Sequence, residues 1–166
     1  PSVYAWDIEV NYKANKIFIG TFGRGIWEAP IPCEYNSSNP IMITSNTTWN
    51  KYYRPGADII VKTGATLTVT NTVAMPTNAK VIVQPGAKLL VNGGTFTNAC
   101  NDLWEGIIVL GNSNQPPWYS KQGYVKLDDA TIQNAKCGVK TVYAYGNPAN
   151  DGLSGGLIHA INSNFI

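Results

Sequence analysis

Apolar residues in this chain come in short runs, many of them at every second position, and the runs are cut by Gly, Pro and Asn. Period-two alternation marks a strand that turns one face to a core, whereas no long window carries apolar residues at the i, i+3, i+4 and i+7 positions of an amphipathic helix. The pattern predicts an all-β protein.

The runs repeat. Ile59-Ile60-Val61-Lys62-Thr63-Gly64-Ala65-Thr66-Leu67-Thr68-Val69 lies over Val81-Ile82-Val83-Gln84-Pro85-Gly86-Ala87-Lys88-Leu89-Leu90-Val91 at a shift of 22 residues, with apolar on apolar at Ile59/Val81, Val61/Val83, Ala65/Ala87, Leu67/Leu89 and Val69/Val91. Each run then has one buried and one more open face, and Gly-Ala makes the bend between runs. A repeat of this length built from short strands and tight turns predicts a solenoid, read as a right-handed parallel β-helix with one repeat per coil.

The repeat continues with insertions. Residues 127–135 lie over 91–99 at a shift of 36, and residues 162–165 over 129–132 at a shift of 33. The excess falls in two aromatic-bearing stretches, GNSNQPPWYSKQG and TVYAYGNPANDGLSGG, which are expected to project from the stack as loops able to form a binding surface. Asn98 and Asn134 recur at one turn, so a stacked Asn ladder inside the coil is expected. The last residues, Asn164-Phe165-Ile166, are strand-like without a polar cap, and a continuation beyond Ile166 is expected. The organisation read from the chain is therefore a blade-like segment at 1–30, a linker and entry at 31–50, and coils from 51 to 166.

Composition narrows the function classes. Charged residues make up 13% of the chain, its formal net charge is +2, and its basic residues are scattered, so neither nucleic-acid binding nor membrane-surface attraction is expected. The longest aliphatic run, Ile107-Ile108-Val109-Leu110, falls far short of the ~20 residues of a bilayer-spanning helix, and membrane insertion is not expected. Abundant Thr, Asn, Gly and Trp with few charges lean toward an extracellular or cell-surface protein, while the sequons at Asn36 and Asn46 are of a kind common by chance in Asn/Thr-rich chains.

The candidate chemistry is sparse. Gly23-Arg24-Gly25 lacks the helix a phosphate loop needs, and reads as a tight turn. Gly152-Leu153-Ser154-Gly155-Gly156 matches the nucleophile-elbow pattern, but a strand-like run follows it where an elbow needs a helix. Asp128-Asp129 resembles a catalytic carboxylate pair, yet it lies over Asn92-Gly93, a turn, and a solvated turn is the expectation. Calcium would need converging carboxylates; Asp102, Glu105, Asp128, Asp129 and Asp151 are the nearest supply, and no spacing groups them, so no cofactor or metal is expected. His159, the single histidine, aligns with Lys126 at an outward position. Cys100 and Cys137 fall near the same turn of successive coils but offset by one residue. A disulfide between them is one of two readings, since alternation opposes it and a turn relaxes that rule; Cys33 would then be free or paired elsewhere. Trp118, Tyr119, Tyr124, Tyr143 and Tyr145 lie in or beside the inserted loops, and aromatic rings stack on sugar faces, so these five are the candidate glycan-binding residues.

The stretch DIEVNYKANKIFIGTFGRGIWEAPI, with GTFGRGIWE at its centre, resembles the closing blade of large β-propellers related to sortilin and to bacterial neuraminidase repeats in secreted Bacteroidetes proteins. GATLTV, QPGAKLLVNGGTF, CNDLWEGIIVLGN and ATIQNAKCGVKT resemble the right-handed β-helix segments of the pectin-lyase-like class found in such surface proteins. The resemblance implies the end of a propeller followed by a β-helix, in a larger secreted or surface protein of the kind exported by type IX secretion. Glycans or other surface proteins are the expected partners. A non-catalytic structural or adhesion module is the favoured expectation; a polysaccharide lyase or hydrolase is the alternative, because fold does not fix activity.

Overall fold

The computed structural model describes residues 4–12, 14–32, 38–142 and 152–166. The chain divides into two compact units, residues 1–33 and 34–166. Its elements are strands and turns, and among the described residues no helix is long and apolar enough to cross a membrane.

The first unit is a three-stranded antiparallel sheet of β1 (Ala5–Asn11), β2 (Lys16–Thr21) and β3 (Gly25–Pro30). Gly23 and Gly25, both at positive φ, form the tight turn between β2 and β3 that the sequence predicted. Register places Ile8, Ile19 and Trp27 in one row and Val10, Ile17 and Ala29 in another, so one face is apolar. The opposite face holds Glu9, Phe18 and Glu28 in a row, with a Lys16–Glu28 ion pair at 2.7 Å.

The second unit is built from three parallel sheets. Sheet I contains β4 (Ile41–Ile43), β6 (Ile59–Val61), β9 (Lys80–Val83), β12 (Gly106–Val109) and β15 (Val139–Lys140). Sheet II contains β5 (Thr47–Trp49), β7 (Thr66–Val69), β10 (Lys88–Asn92), β13 (Tyr124–Asp128) and β16 (Leu157–Ile161). Sheet III contains β8 (Thr72–Met75), β11 (Thr95–Asn98), β14 (Thr131–Ile132) and β17 (Asn164–Phe165). From β6 onward the chain visits I, II and III in strict rotation, and β4 and β5, within the entry segment 31–50, already occupy places in the first two sheets.

The sequence registers are the structural registers. Leu67, Leu89 and Val125 stand in line, as do Val69, Val91 and Leu127; the pairs Val91/Leu127 and Thr131/Asn164 carry the shifts of 36 and 33. These inward columns, with Ile59, Val81 and Ile107 from sheet I and Val73, Phe96 and Ile132 from sheet III, form one core whose members are almost wholly removed from water. Such burial contributes roughly 1.5–3 kcal/mol per large side chain before conformational entropy is subtracted. Trp104 completes the core: its ring lies 5.8 Å from that of Phe96, and its indole Nε1 donates to the Gln133 carbonyl at 2.9 Å, satisfying the one polar atom it buries.

Gly64 and Gly86 adopt positive φ at the bends between sheets I and II, and the alanines that follow them are buried. Gly106 answers a different demand: a Cβ there would overlap the Cys137 carbonyl of the next turn of chain, so only glycine permits that approach.

Two expectations are corrected. The outer face of sheet I is not open: Ile82, Ile108 and Leu110 form a second buried cluster, with Ile60 and Leu153 packed against it. The strands IIV, KVIV and GIIV are apolar at every position or nearly so, the composition of strands covered on both faces. Nor is there an Asn ladder. Asn98 Oδ1 accepts from the amides of Cys100 (2.6 Å) and Asp102 (3.0 Å) and shapes its own turn, while Asn134 is exposed, at φ 56°, and donates to Thr97 Oγ1 at 3.3 Å. The side chain does more for its own turn than a stacked copy would, because the backbone amides it caps have no ladder partner.

Candidate functional site

The first insertion, residues 111–123, joins sheet I to sheet II, and one side chain organises it. Gln122 is only 4% exposed. Its Nε2 donates to the carbonyls of Asn112 (3.0 Å), Gln115 (3.0 Å) and Pro116 (3.1 Å), and its Oε1 accepts from the Asn112 amide at 2.6 Å. A buried carboxamide that satisfies several loop backbone groups at once holds the loop in one shape, since releasing it would leave those groups unpaired. Backbone bonds from Trp118 N to Pro116 O (2.8 Å) and from Lys121 N to Trp118 O (2.8 Å) close the tip.

On this loop Trp118 and Tyr119 are 63% and 57% exposed. Large aromatic surface held in water by a rigid loop is unusual without a partner. Tyr119 packs on Tyr124, ring centroids 4.5 Å apart at an interplanar angle of 47°. Tyr124 sits in a column of sheet II between Lys88 and Leu157, and partial burial, then the neighbouring Tyr119, push its phenol above the usual tyrosine value. The structure thus brings Trp118, Tyr119 and Tyr124 to one region. Tyr143 and Tyr145 lie outside the described residues, as do Cys33, Asn36 and Asp151. The described end of the second insertion meets the first: Gly111 N donates to Leu153 O at 2.7 Å, and Ser113 N to Gly152 O at 3.1 Å.

Beside the aromatic residues an open polar groove runs between the loop and the turns that precede β7 and β10. Gln84, Pro85, Asn112, Gln115, Ser120 and Lys121 are among its lining residues. The Gln84 and Gln115 carboxamides, the Ser120 hydroxyl and the Lys121 ammonium make no hydrogen bond within the described residues, so each keeps its full capacity for a ligand. Sequence reading found the aromatics but not this groove, because its walls come from turns some 30 residues apart that only the stacking brings together.

The other candidates disperse. Asp128 pairs with Lys126 at 2.7 Å, and Asp129 is a turn residue at φ 49°. Asp102 Oδ1 accepts from the Leu103 amide. Glu105 pairs with Lys136 at 2.6 Å, and Lys136 also donates to Asn78 Oδ1 at 2.8 Å; the hydrogen bond from Lys136 holds the Glu105 carboxyl below the usual range, with burial opposing. Among the described residues no three His, Cys, Asp or Glu side chains group as metal ligands do. His159 pairs in register with Lys126 on the outer face, where the alignment put it. After the GLSGG segment comes strand β16, not a helix, so the geometry of a nucleophile elbow does not form. Cys137 is an exposed free thiol whereas Cys100 is disulfide-bonded, so the Cys100–Cys137 bridge is overturned.

No family model, no curated protein and no solved structure matches this chain.

Proposed function

We propose that the chain is a non-catalytic structural or adhesion module of a secreted or cell-surface protein, and that it contacts glycans through Trp118, Tyr119 and Tyr124. The observation that carries the reading is the rigid presentation of exposed aromatic rings beside a groove of unengaged amide and hydroxyl groups. Sugars present both an apolar ring face and a rim of hydroxyls, and this surface has a complement to each. Among the described residues Lys121 is the only charged side chain lining the groove, whereas acid–base cleavage of a polysaccharide would draw on paired ionisable groups there.

The stack reads as a right-handed parallel β-helix: its strands rotate through three parallel sheets, and crossovers between parallel strands take the right-handed sense almost without exception. The N-terminal sheet reads as the end of a β-propeller, since its apolar face supplies the surface that a neighbouring blade would cover.

A glycan array probed with the full chain tests the function. Binding to a defined sugar set that falls about 5-fold or more in Trp118→Ala or Tyr119→Ala is expected, because aromatic stacking contributes about 1 kcal/mol or more per ring. Absence of binding, or binding indifferent to both changes, would sink the proposal.

A further inference from the structure

We infer that the groove beside Trp118 recognises the acetamido group of a 2-acetamido sugar, an inference that rests on the glycan reading above and names its ligand class. The groove walls carry two carboxamides, Gln84 and Gln115, neither hydrogen-bonded to the described protein. A primary carboxamide carries both N–H donors and a carbonyl acceptor, and the trans amide of an acetamido group points its one N–H and its one C=O to opposite sides. A carboxamide on each wall can therefore satisfy the two, one accepting from the N–H and the other donating to the C=O, a pairing that a sugar hydroxyl at the same carbon does not reproduce. The Pro85 ring, in the same lining, gives the acetamido methyl an apolar surface to cover.

The remaining unengaged groups fit the rest of a sugar. Ser120 supplies a hydroxyl that both donates and accepts, and the Lys121 ammonium donates to hydroxyl or ring oxygens. Among the described residues no carboxylate lines the groove, so none of them would favour a free amino sugar, in which the acetyl is replaced by a positive charge. Gln122 provides the internal contrast. The same side-chain chemistry, in the same loop, is fully engaged with the backbone where it is structural, while the Gln115 carboxamide seven residues earlier makes no hydrogen bond within the described residues and lines the groove.

The test compares chitotriose with cellotriose, which share a β-1,4 glucose backbone and differ in the acetamido groups, by calorimetric titration of the full chain. Chitotriose is expected to bind at least ~10-fold more tightly, as a site left with unpaired polar groups discriminates against the ligand that lacks their partner. Gln84→Leu combined with Gln115→Leu, with an unchanged circular dichroism spectrum, is expected to bring chitotriose down to the cellotriose level and leave cellotriose unaltered. Trp118→Ala should weaken both. Equal affinity for the two sugars, or a preference that survives the double substitution, overturns the acetamido inference and leaves the glycan reading standing. Tighter binding of a glucuronate trisaccharide than of chitotriose also overturns it, by making the Lys121 charge the determinant. Binding of none of the three sugars overturns the acetamido inference, and the glycan array then decides the reading beneath it.

Discussion

The two units use the same material to opposite effect. The N-terminal sheet has strands of six and seven residues with an apolar face, Ile8, Val10, Ile17, Ile19, Trp27 and Ala29, yet none of its described residues is buried. In the stacked unit, strands of two to five residues carry side chains that are wholly removed from water. Strand length and alternation are therefore not what makes a core. A single sheet can present an apolar face, but only a second layer covers it, and in the stacked unit each turn of chain provides that layer for its neighbours.

This contrast can be broken most sharply at Gly106. Gly106→Ala places a methyl group into the Cys137 carbonyl at a backbone φ of 98°, so the two turns of chain must separate. A loss of more than ~4 kcal/mol in denaturant unfolding is expected, in the range reserved for backbone strain and broken packing. Stability close to the parent would mean that the stack tolerates local separation.

The next effect sharpens the comparison by treating one large aliphatic residue in each unit alike. Leu89, in line between Leu67 and Val125, is fully buried, and Leu89→Ala should cost about 3 kcal/mol by transfer and cavity terms together. Ile19 stands in the apolar row of the N-terminal sheet but remains partly exposed, and Ile19→Ala should cost under ~1 kcal/mol. Comparable losses, measured by urea titration, would show that the face of the first unit is covered in solution.

The smallest effect concerns a link between turns of the stack. Glu105 bonds Lys136, and the pairing holds its pKa below the usual carboxylate value. Because the folded-state value is depressed, the stabilisation is fully present above the ordinary glutamate pKa and lost as pH falls through the folded value. With both side chains partly exposed, the contribution should be no more than ~1 kcal/mol. Glu105→Gln is expected to flatten the acid limb of the stability profile and leave stability at low pH unchanged; an acid limb identical to the parent would remove the assignment.

Much of the fold was legible because the stack is quasi-one-dimensional. Aligning Ile59 with Val81, or Val91 with Leu127, is at once a sequence operation and a strand-pairing operation, so apolar spacing alone yields the register. The outer face of sheet I was legible in principle, since runs such as Ile107-Ile108-Val109 are apolar without alternation, and the repeat comparison missed it by attending only to matched positions. The cysteine pairing and the Asn ladder were not legible. Both lie at turns, where a one-residue offset or a left-handed backbone redirects a side chain and local capping competes with stacking. Of the site, Trp118, Tyr119 and Tyr124 stood out by residue type, while Gln84 and Gln115 are ordinary loop residues until they share a groove.

By itself, then, the sequence determined the class of structure, the order and register of the stacked strands, the turns at Gly64 and Gly86, and the places where loops leave the stack. These follow from hydrophobic period and glycine geometry, which act over a few residues or recur at a fixed spacing. Tertiary structure decided which outer faces are covered, that Gln122 locks the first loop while Gln115 does not, and that this loop meets residues 152–153 beside a groove walled in part by distant turns. Those features depend on side chains from separated segments meeting in space, and no local pattern encodes the meeting.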